Sequence, residues 1–186
     1  MSIVLENICK SFDGKTVLNN ISFTFPKKGI CNIKGASGSG KTTLLRIIMG
    51  LLKPDSGNVW DDGQVFSPVF PENRLLGSLS VFGNVEAVCG DGQKAKAILE
   101  TVGLGDYFDN KPVELSTGMC RRTALARALA FEGDVLVLDE PLGGIDREMC
   151  VKLMEIILEY SEKRLVILVD HKQELVRKFA DCEISL

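Results

Sequence analysis

The sequence predicts an α/β domain built around a mostly parallel sheet, and three observations support this fold class. Two short, wholly apolar runs at residues 135–138 and 165–169 have the composition of strands that are buried on both faces. A third run at residues 29–34 leads into a glycine-rich loop, after which apolar residues recur at helical spacing up to Gly50. Strands that alternate with helices are typical of α/β domains.

The opening of the chain has a different pattern. Residues 3–26 contain short apolar runs on either side of a turn signal, Asp13 and Gly14, and residues 53–70 return to turns and short strands. We therefore expect an antiparallel β subdomain beside the parallel sheet.

Helical patterns fill most of the second half. Residues 78–108 are mostly helical in pattern, and a further helix is expected from Met119 onwards. Asp146 can cap a helix that carries apolar residues on one face. We expect a small helical subdomain, near residues 73–128, inserted into a single domain of residues 1–186.

Composition excludes several classes of protein. The chain has 186 residues, 45% of them hydrophobic and 25% charged, which is typical of a soluble globular domain. With 22 basic and 25 acidic residues the net charge is -3, so the chain offers no long-range attraction for nucleic acid or an anionic membrane. We expect no nucleic-acid partner, and phosphate chemistry must come from a local site.

Membrane, export and metal signals are also missing from the sequence. The apolar runs are far shorter than the roughly 20 residues of a membrane span, and the first residues do not resemble a secretory leader. The six cysteines form no C-x-x-C pair, and there is one histidine. We expect a cytoplasmic chain with reduced thiols that reaches a membrane only through a partner.

The strongest local signal is a candidate phosphate-binding loop. Residues 35–42, GASGSGKT, match G-x-x-x-x-G-K-T between a predicted strand and a predicted helix. Backbone N–H groups and the positive helix end can cradle phosphate oxygens, while Lys41 reaches the β- and γ-phosphates and Thr42 binds Mg²⁺. The alternative is a flexible loop before a helix. The candidate nucleotide-binding residues are Gly35, Ala36, Ser37, Gly38, Ser39, Gly40, Lys41, Thr42 and Thr43.

Two carboxylates follow the first buried run. Asp139 and Glu140 stand at the carboxyl end of a predicted strand, where ligands of open α/β sheets bind. In such a site Asp139 can hold Mg²⁺ and Glu140 can orient or deprotonate the attacking water. Many apolar strands end in acidic residues, so these two carboxylates indicate a functional site only in combination with the phosphate loop.

A wider pattern resembles the ATP-binding cassette (ABC) ATPases. Residues 115–119, LSTGM, followed by CRRTALARALA and VLVLDEP, resemble the LSGGQ signature of that family and the helix and strand after it. The phosphate loop, the signature, Glu140 and His171 occur in the family order, and the resemblance covers residues 3–186. It implies a P-loop NTPase core, ATP as ligand and Mg²⁺ as cofactor, with Lys41, Glu140 and His171 as the catalytic residues.

Other residues take their expected roles from this resemblance alone. Phe12 occupies the place of an aromatic residue that stacks on adenine, although a core phenylalanine beside a turn is the alternative. Residues 142–146 resemble the loop that crosses the dimer interface, which gives Asp146 a second role besides capping a helix. His171 matches the histidine that contacts the γ-phosphate; on its own it would be taken as structural.

The signature implies a dimer. Because it opens a helix, Ser116 and Gly118 would form an anion site that faces the γ-phosphate held by a second ABC subunit, in the simplest case another copy of this chain. Two chains would then enclose two ATP molecules, with Ser116, Gly118 and Asp146 completing the nucleotide-binding set.

Three residues depart from the family pattern. Thr117 replaces the first signature glycine, and Met119 replaces the signature glutamine. Pro71 stands after Val-Phe where the family has a glutamine that contacts Mg²⁺ or the attacking water. Proline has no carboxamide for either contact.

The sequence therefore predicts an ATPase that powers solute transport through separate integral membrane subunits, at the inner face of the cell membrane. Residues 74–85, RLLGSLSVFGNV, resemble a segment of importers of small anions and organosulfur compounds such as nitrate, sulfonates and taurine. Two alternatives remain open: a soluble ABC protein of assembly, DNA repair or translation, and a regulatory module that binds ATP but hydrolyses it poorly.

Overall fold

The computed structural model describes residues 2–186, and that part of the chain contains two sheets and six α-helices. The strands are β1 (Val4–Phe12), β2 (Lys15–Thr24), β3 (Gly29–Lys34), β4 (Ser56–Trp60), β5 (Phe66–Val69), β6 (Val135–Asp139), β7 (Leu165–Val169) and β8 (Cys182–Ser185). The helices are α1 (Lys41–Ile48), α2 (Val81–Cys89), α3 (Gly92–Thr101), α4 (Thr117–Ala130), α5 (Arg147–Ser161) and α6 (Gln173–Val176).

The central sheet is parallel throughout, as predicted. Its order is β5-β6-β7-β3-β8, and every neighbouring pair runs in the same direction. The carboxyl ends of β3, β5, β6 and β7 therefore meet at one edge of the sheet, where an open α/β sheet binds its ligands.

A second, antiparallel sheet contains the opening strands. Its order is β2-β1-β4. The predicted turn joins β1 to β2, and both of its residues, Asp13 and Gly14, have positive φ angles of 49° and 77°. Such angles are what a tight hairpin turn requires. The β-rich opening predicted from the sequence is confirmed.

Two apolar cores lie on opposite faces of the central sheet, because successive side chains of a strand alternate between its faces. Leu136 and Leu138 of β6 pack with apolar residues of α2, α3, α4 and α5. Val135 and Val137 of the same strand pack with α1 and the antiparallel sheet. Burial on both faces explains why β6 and β7 are continuous apolar runs.

Polar side chains set where the helices of the second half begin. Ser116 accepts a hydrogen bond from the backbone N–H of Met119 at 3.2 Å, so α4 begins at Thr117, two residues before the predicted start. Ser80 caps α2 in the same way. The buried Asn84 binds Leu76 through both its amide nitrogen and its oxygen, which fixes the turn before α2. No helix of residues 2–186 has the length and apolar composition to cross a membrane.

Candidate nucleotide-binding site

The candidate phosphate loop joins β3 to α1, and its conformation depends on its glycines. Gly40 precedes α1 with a φ of 98°, and a Cβ atom there would lie 2.7 Å from the side chain of Val17. A Cβ atom at Gly35 would lie 2.4 Å from Ser39 Oγ inside the loop. No side chain caps α1. The first N–H groups of the helix are therefore open to an anion.

Lys41 is held over this loop by the loop itself. Its ammonium donates hydrogen bonds to the carbonyl oxygens of Gly35 at 3.0 Å and Ala36 at 2.8 Å. The side chain is largely covered, since Lys41 is 8% exposed. A cation that is bound only to carbonyls, beside the uncapped start of α1, is suited to exchange those acceptors for phosphate oxygens.

Thr42 and Asp139 form the second part of the site. The Thr42 hydroxyl donates a hydrogen bond of 2.7 Å to Asp139 Oδ2, which joins the start of α1 to the end of β6. Asp139 is 3% exposed, and this burial raises the pKa of its carboxyl group, against the opposing effect of the Thr42 hydrogen bond. Asp139 Oδ1 is buried and has no hydrogen-bond partner within residues 2–186.

Glu140 and His171 are brought together by the neighbouring strands β6 and β7. His171 Nε2 lies 2.9 Å from Glu140 Oε1, and the backbone N–H of Glu140 donates to Val169 O at 2.7 Å. Glu140 has a positive φ of 55°, a conformation that costs a residue with a side chain about 1–3 kcal/mol. Strain of this kind concentrates at functional positions.

These groups share one cavity of about 390 Å³. Phe12, at the end of β1, forms part of its wall and is 44% exposed, so its ring is accessible from the cavity. Larger cavities of about 500–620 Å³ open elsewhere, but none combines the phosphate loop with Glu140 and His171. The lining residues are Phe12, Val17, Ser37, Gly38, Gly40, Lys41, Thr42, Thr43, Glu140, Val169 and His171. Val17 and Val169 carried no signal in the sequence.

Six predicted nucleotide-binding residues do not line this cavity. Three belong to the phosphate loop itself, Gly35, Ala36 and Ser39, and three lie on other elements, Ser116, Gly118 and Asp146. Ser116 caps α4, and a Cβ atom at Gly118 would lie 2.7 Å from Gly144 O, so the signature helix packs closely on residues 142–146. Asp146 caps α5 by accepting from the N–H of Met149 at 2.9 Å, and this hydrogen bond lowers the pKa of its carboxyl group. The predicted capping role is confirmed.

Pro71 lies two residues beyond the end of β5. Val69 of β5 pairs with Leu138 of β6 in the last pair of this parallel register, and Pro71 and Glu140 each lie two residues beyond it. The next residue, Glu72, faces arginines: it lies 4.0 Å from Arg46 and 3.5 Å from Arg74.

Two arginines of α4 hold the segment of residues 70–74. Arg121 donates to Phe70 O at 3.1 Å, and Arg127 donates to Arg74 O at 2.8 Å. These contacts join Pro71 and its neighbours to the signature helix. No sequence pattern indicates these contacts, because backbone carbonyls accept hydrogen bonds whatever the residue type.

A glycine-rich loop before a helix, with carboxylates at the end of a parallel strand beside it, defines a P-loop nucleotide-binding protein. A family model described as "ABC transporter" matches residues 18–143. This protein belongs to the ABC transporter family.

Relatives and solved structures agree with this membership. A sulfate/thiosulfate import ATP-binding protein of Vibrio vulnificus is 36% identical over 97% of this chain, and an aliphatic sulfonates import ATP-binding protein of Rhizobium johnstonii is 42% identical over 84%. The chain spans only 59% and 62% of those two relatives. A dimeric ATP-binding cassette in a post-hydrolysis state, bound to ADP and Pi, has 26% identity and a TM-score of 0.92 over 99% of this chain and 94% of its own.

Proposed function

We propose that this chain binds and hydrolyses ATP within a pair of cassettes and powers import through separate integral membrane subunits. The observation that carries the proposal is the Glu140–His171 contact of 2.9 Å in the same cavity as the phosphate loop. A carboxylate beside a histidine, next to a loop suited to phosphate, supports cleavage of the bond to a γ-phosphate and not binding alone.

ATP would enter with its phosphates over α1 and its base on Phe12. The Lys41 ammonium would exchange the carbonyls of Gly35 and Ala36 for β- and γ-phosphate oxygens, and the free N–H groups of residues 35–43 would bind the remaining oxygens. The accessible aromatic ring of Phe12 suits stacking on an adenine ring.

The residues present fit a Mg²⁺ ion. Asp139 Oδ1 is a buried oxygen without a partner, and the Thr42 hydroxyl lies against the other oxygen of the same carboxyl group. A hydroxyl and a carboxylate are the oxygen ligands that Mg²⁺ uses beside phosphates and water. When bound, the ion would neutralise charge that develops on the phosphate oxygens.

Hydrolysis would use Glu140 as the base. Its carboxylate accepts a proton from the attacking water, whose oxygen forms the new bond to the γ-phosphorus as the bond to the bridging oxygen of ADP breaks. His171 would leave the Glu140 oxygen and donate to a γ-phosphate oxygen instead. The products are ADP and inorganic phosphate.

The site is incomplete within one chain. Ser116 and Gly118 stand at the start of α4, where the Ser116 side chain caps the N–H of Met119, and they do not line the cavity of their own chain. We infer that they meet the γ-phosphate of a second cassette. Asp146 would lie between the two cassettes, on the loop of residues 142–146. The dimeric state of the solved cassette supports this arrangement.

The import role rests on the relatives. The names of two of them specify import of sulfate or thiosulfate and of aliphatic sulfonates, so we propose a sulfur oxyanion or a similar small anion as the solute. The membrane subunits would contact the helical lobe near residues 73–128, and the chain would lie at the inner face of the cell membrane.

One alternative function has specific support. Pro71 and Thr117 replace residues that serve hydrolysis and closure of the dimer in the family. A regulatory module that binds ATP and hydrolyses it slowly could carry such replacements. An assembly, repair or translation role has no such support, because the relatives above are named as importers.

A pair of glutamine variants tests the proposed hydrolysis. Glu140→Gln keeps the shape of the site but removes the base, so turnover falls by about 10²–10⁴-fold while an ATP-bound dimer accumulates. The matched control is Glu155→Gln, an exposed carboxylate of α5 outside the site. Steady-state phosphate release and sedimentation with Mg-ATP are the measurements.

Three outcomes separate the possibilities. A Glu140→Gln chain that stays monomeric with Mg-ATP contradicts the shared site of two identical chains. A wild-type chain that forms the dimer but scarcely hydrolyses ATP supports the regulatory alternative. Co-purification from solubilised membranes must recover integral membrane subunits; recovery of soluble partners alone contradicts the transport role.

A further inference from the structure

The residues on either side of His171 both hold the interface loop, which we define as residues 142–146. Asp170 is 4% exposed; its Oδ2 accepts from the N–H of Leu142 at 3.0 Å and its Oδ1 from the N–H of Lys172 at 2.9 Å. Lys172 Nζ then reaches the other end of the loop and donates to Ile145 O at 2.7 Å. Both ends of the interface loop are thus attached to the segment that carries His171.

Lys172 is held by hydrogen bonds and not by an ion pair. Its ammonium lies 2.9 Å from Cys150 Sγ and 2.7 Å from Ile145 O, and it forms no ion pair with a carboxylate within residues 2–186. A half-buried lysine that binds a carbonyl and a thiol holds two segments of the chain in place, because its long side chain spans a distance that a shorter one cannot.

The carbonyl that Lys172 binds has a particular position. Ile145 immediately precedes Asp146, which caps α5, so the ammonium fixes the backbone at the point where the loop becomes a helix. Among residues 2–186, the one other donor to Ile145 O is the Cys150 thiol at 3.5 Å, which is a weak donor. Without the ammonium this carbonyl keeps no strong partner.

We propose that Lys172 is a positioning residue that couples His171 to the interface loop. This inference rests on the proposed function, in which His171 turns from Glu140 to the γ-phosphate and the interface loop meets a second cassette. Since Lys172 follows His171 directly in the chain, a movement of the histidine displaces the lysine and the loop end that it holds. ATP at the pocket would thereby change the surface offered to the partner.

The test compares three lysine variants of the full chain. Lys172→Met keeps the length of the side chain and removes its donors, whereas Lys172→Arg restores a cationic donor. Lys178→Met is the matched control, since Lys178 is exposed on the same short segment and its side chain forms no hydrogen bond or ion pair within residues 2–186.

The expected result is a split between binding and turnover. Lys172→Met lowers kcat by about tenfold or more and leaves the ATP dissociation constant within about twofold, because Lys172 does not line the nucleotide cavity. In a Glu140→Gln background it weakens ATP-driven dimerisation by a similar factor. Hydrogen exchange at the amides of residues 142–149 becomes faster, and Lys172→Arg recovers most of the lost turnover.

Each other outcome has a definite consequence. Wild-type kcat and dimerisation in Lys172→Met overturn the role of Lys172 while the proposed function stands. An equal loss in Lys178→Met shows an effect of net charge and also overturns it. A wild-type chain without turnover or ATP-driven dimerisation overturns the proposed function, and the coupling with it. If Lys172→Met does not fold, Lys172→Gln is measured against the same limits.

Discussion

Replacing Pro71 with glutamine is the sharpest test of how this cassette differs from its family. Pro71 and Glu140, the proposed base, each lie two residues beyond the last pair of β5 and β6, so we expect a carboxamide at residue 71 to reach the attacking water near the Thr42–Asp139 pair. The neighbouring Glu72 does not supply the missing group, because it is exposed and faces Arg46 and Arg74. Pro71→Gln therefore adds a contact that the wild-type chain lacks.

The size of the effect follows from the kind of contact. A hydrogen bond to a charged group contributes about 1.5–3 kcal/mol, and each 1.36 kcal/mol of transition-state stabilisation is a factor of ten in rate. If the contact is made only in the transition state, Pro71→Gln raises kcat by about tenfold to a hundredfold. Loss of the proline ring also makes the unfolded chain more flexible, which lowers stability by about 0.4–1 kcal/mol.

The assay is steady-state phosphate release at saturating Mg-ATP, with Pro71→Ala as the control. Alanine and glutamine both lack the ring that restricts φ, so the two variants share the loss of stability. Only glutamine brings a carboxamide, so only Pro71→Gln gains turnover. Equal turnover in the two variants would refute the reasoning. It would mean that the segment before α2 follows a different alignment and that Pro71 does not occupy the glutamine position.

Two further predictions concern the phosphate loop and the signature helix. Lys41→Ala should weaken Mg-ATP binding in calorimetry by about a hundredfold or more, because it removes the cation that would bind the phosphates. The unfolding temperature should change little, because the substitution leaves only exposed loop carbonyls unpaired. Lys53→Ala is the surface control. Gly118→Ala should lower the free energy of unfolding by about 1–3 kcal/mol, because its Cβ atom would lie 2.7 Å from Gly144 O. We expect Tm to fall by about 2–10 °C in calorimetric scans. The control is Gly143→Ala, whose Cβ atom would lie 3.5 Å from its nearest neighbour.

Either of these predictions can fail in a specific way. Micromolar binding by Lys41→Ala would show that the loop does not hold the phosphates through this lysine. Equal unfolding temperatures of Gly118→Ala and Gly143→Ala would show that residues 142–146 move away from the added methyl group without loss of stability. In that case the interface loop is too mobile to transmit a displacement from His171.

Much of the fold could be predicted from the sequence because the decisive elements depend on local pattern. Strands β6 and β7 are buried on both faces and are therefore apolar at every position up to their polar ends. The phosphate loop has fixed glycines because Cβ atoms would collide within it, and Asp146 caps α5 through a neighbouring N–H group. Such constraints leave a mark in consecutive residues.

The contacts that join the site to the rest of the molecule left no such mark. Arg121 and Lys172 bind the backbone carbonyls of Phe70 and Ile145, which are 51 and 27 residues away in the chain. A carbonyl accepts a hydrogen bond whatever its side chain, so neither partner constrains the residue type of the other. The same holds for the strand order, which is set by packing between distant segments.

These contacts give the interface loop a central position between the two halves of the site. On one side, Gly118 of the signature helix packs against Gly144 of the loop, and a Cβ atom at Gly118 would lie 2.7 Å from Gly144 O. On the other, Asp170 and Lys172 fix its two ends to the segment of His171. A displacement at the γ-phosphate therefore has a continuous path of packed and hydrogen-bonded groups to the helix that a partner's nucleotide would meet. Coupling through such a path requires each contact to be stiff, so the loss of the Lys172 donors and an added methyl group at residue 118 should impair dimer closure by different routes: the first by releasing the loop, the second by displacing it.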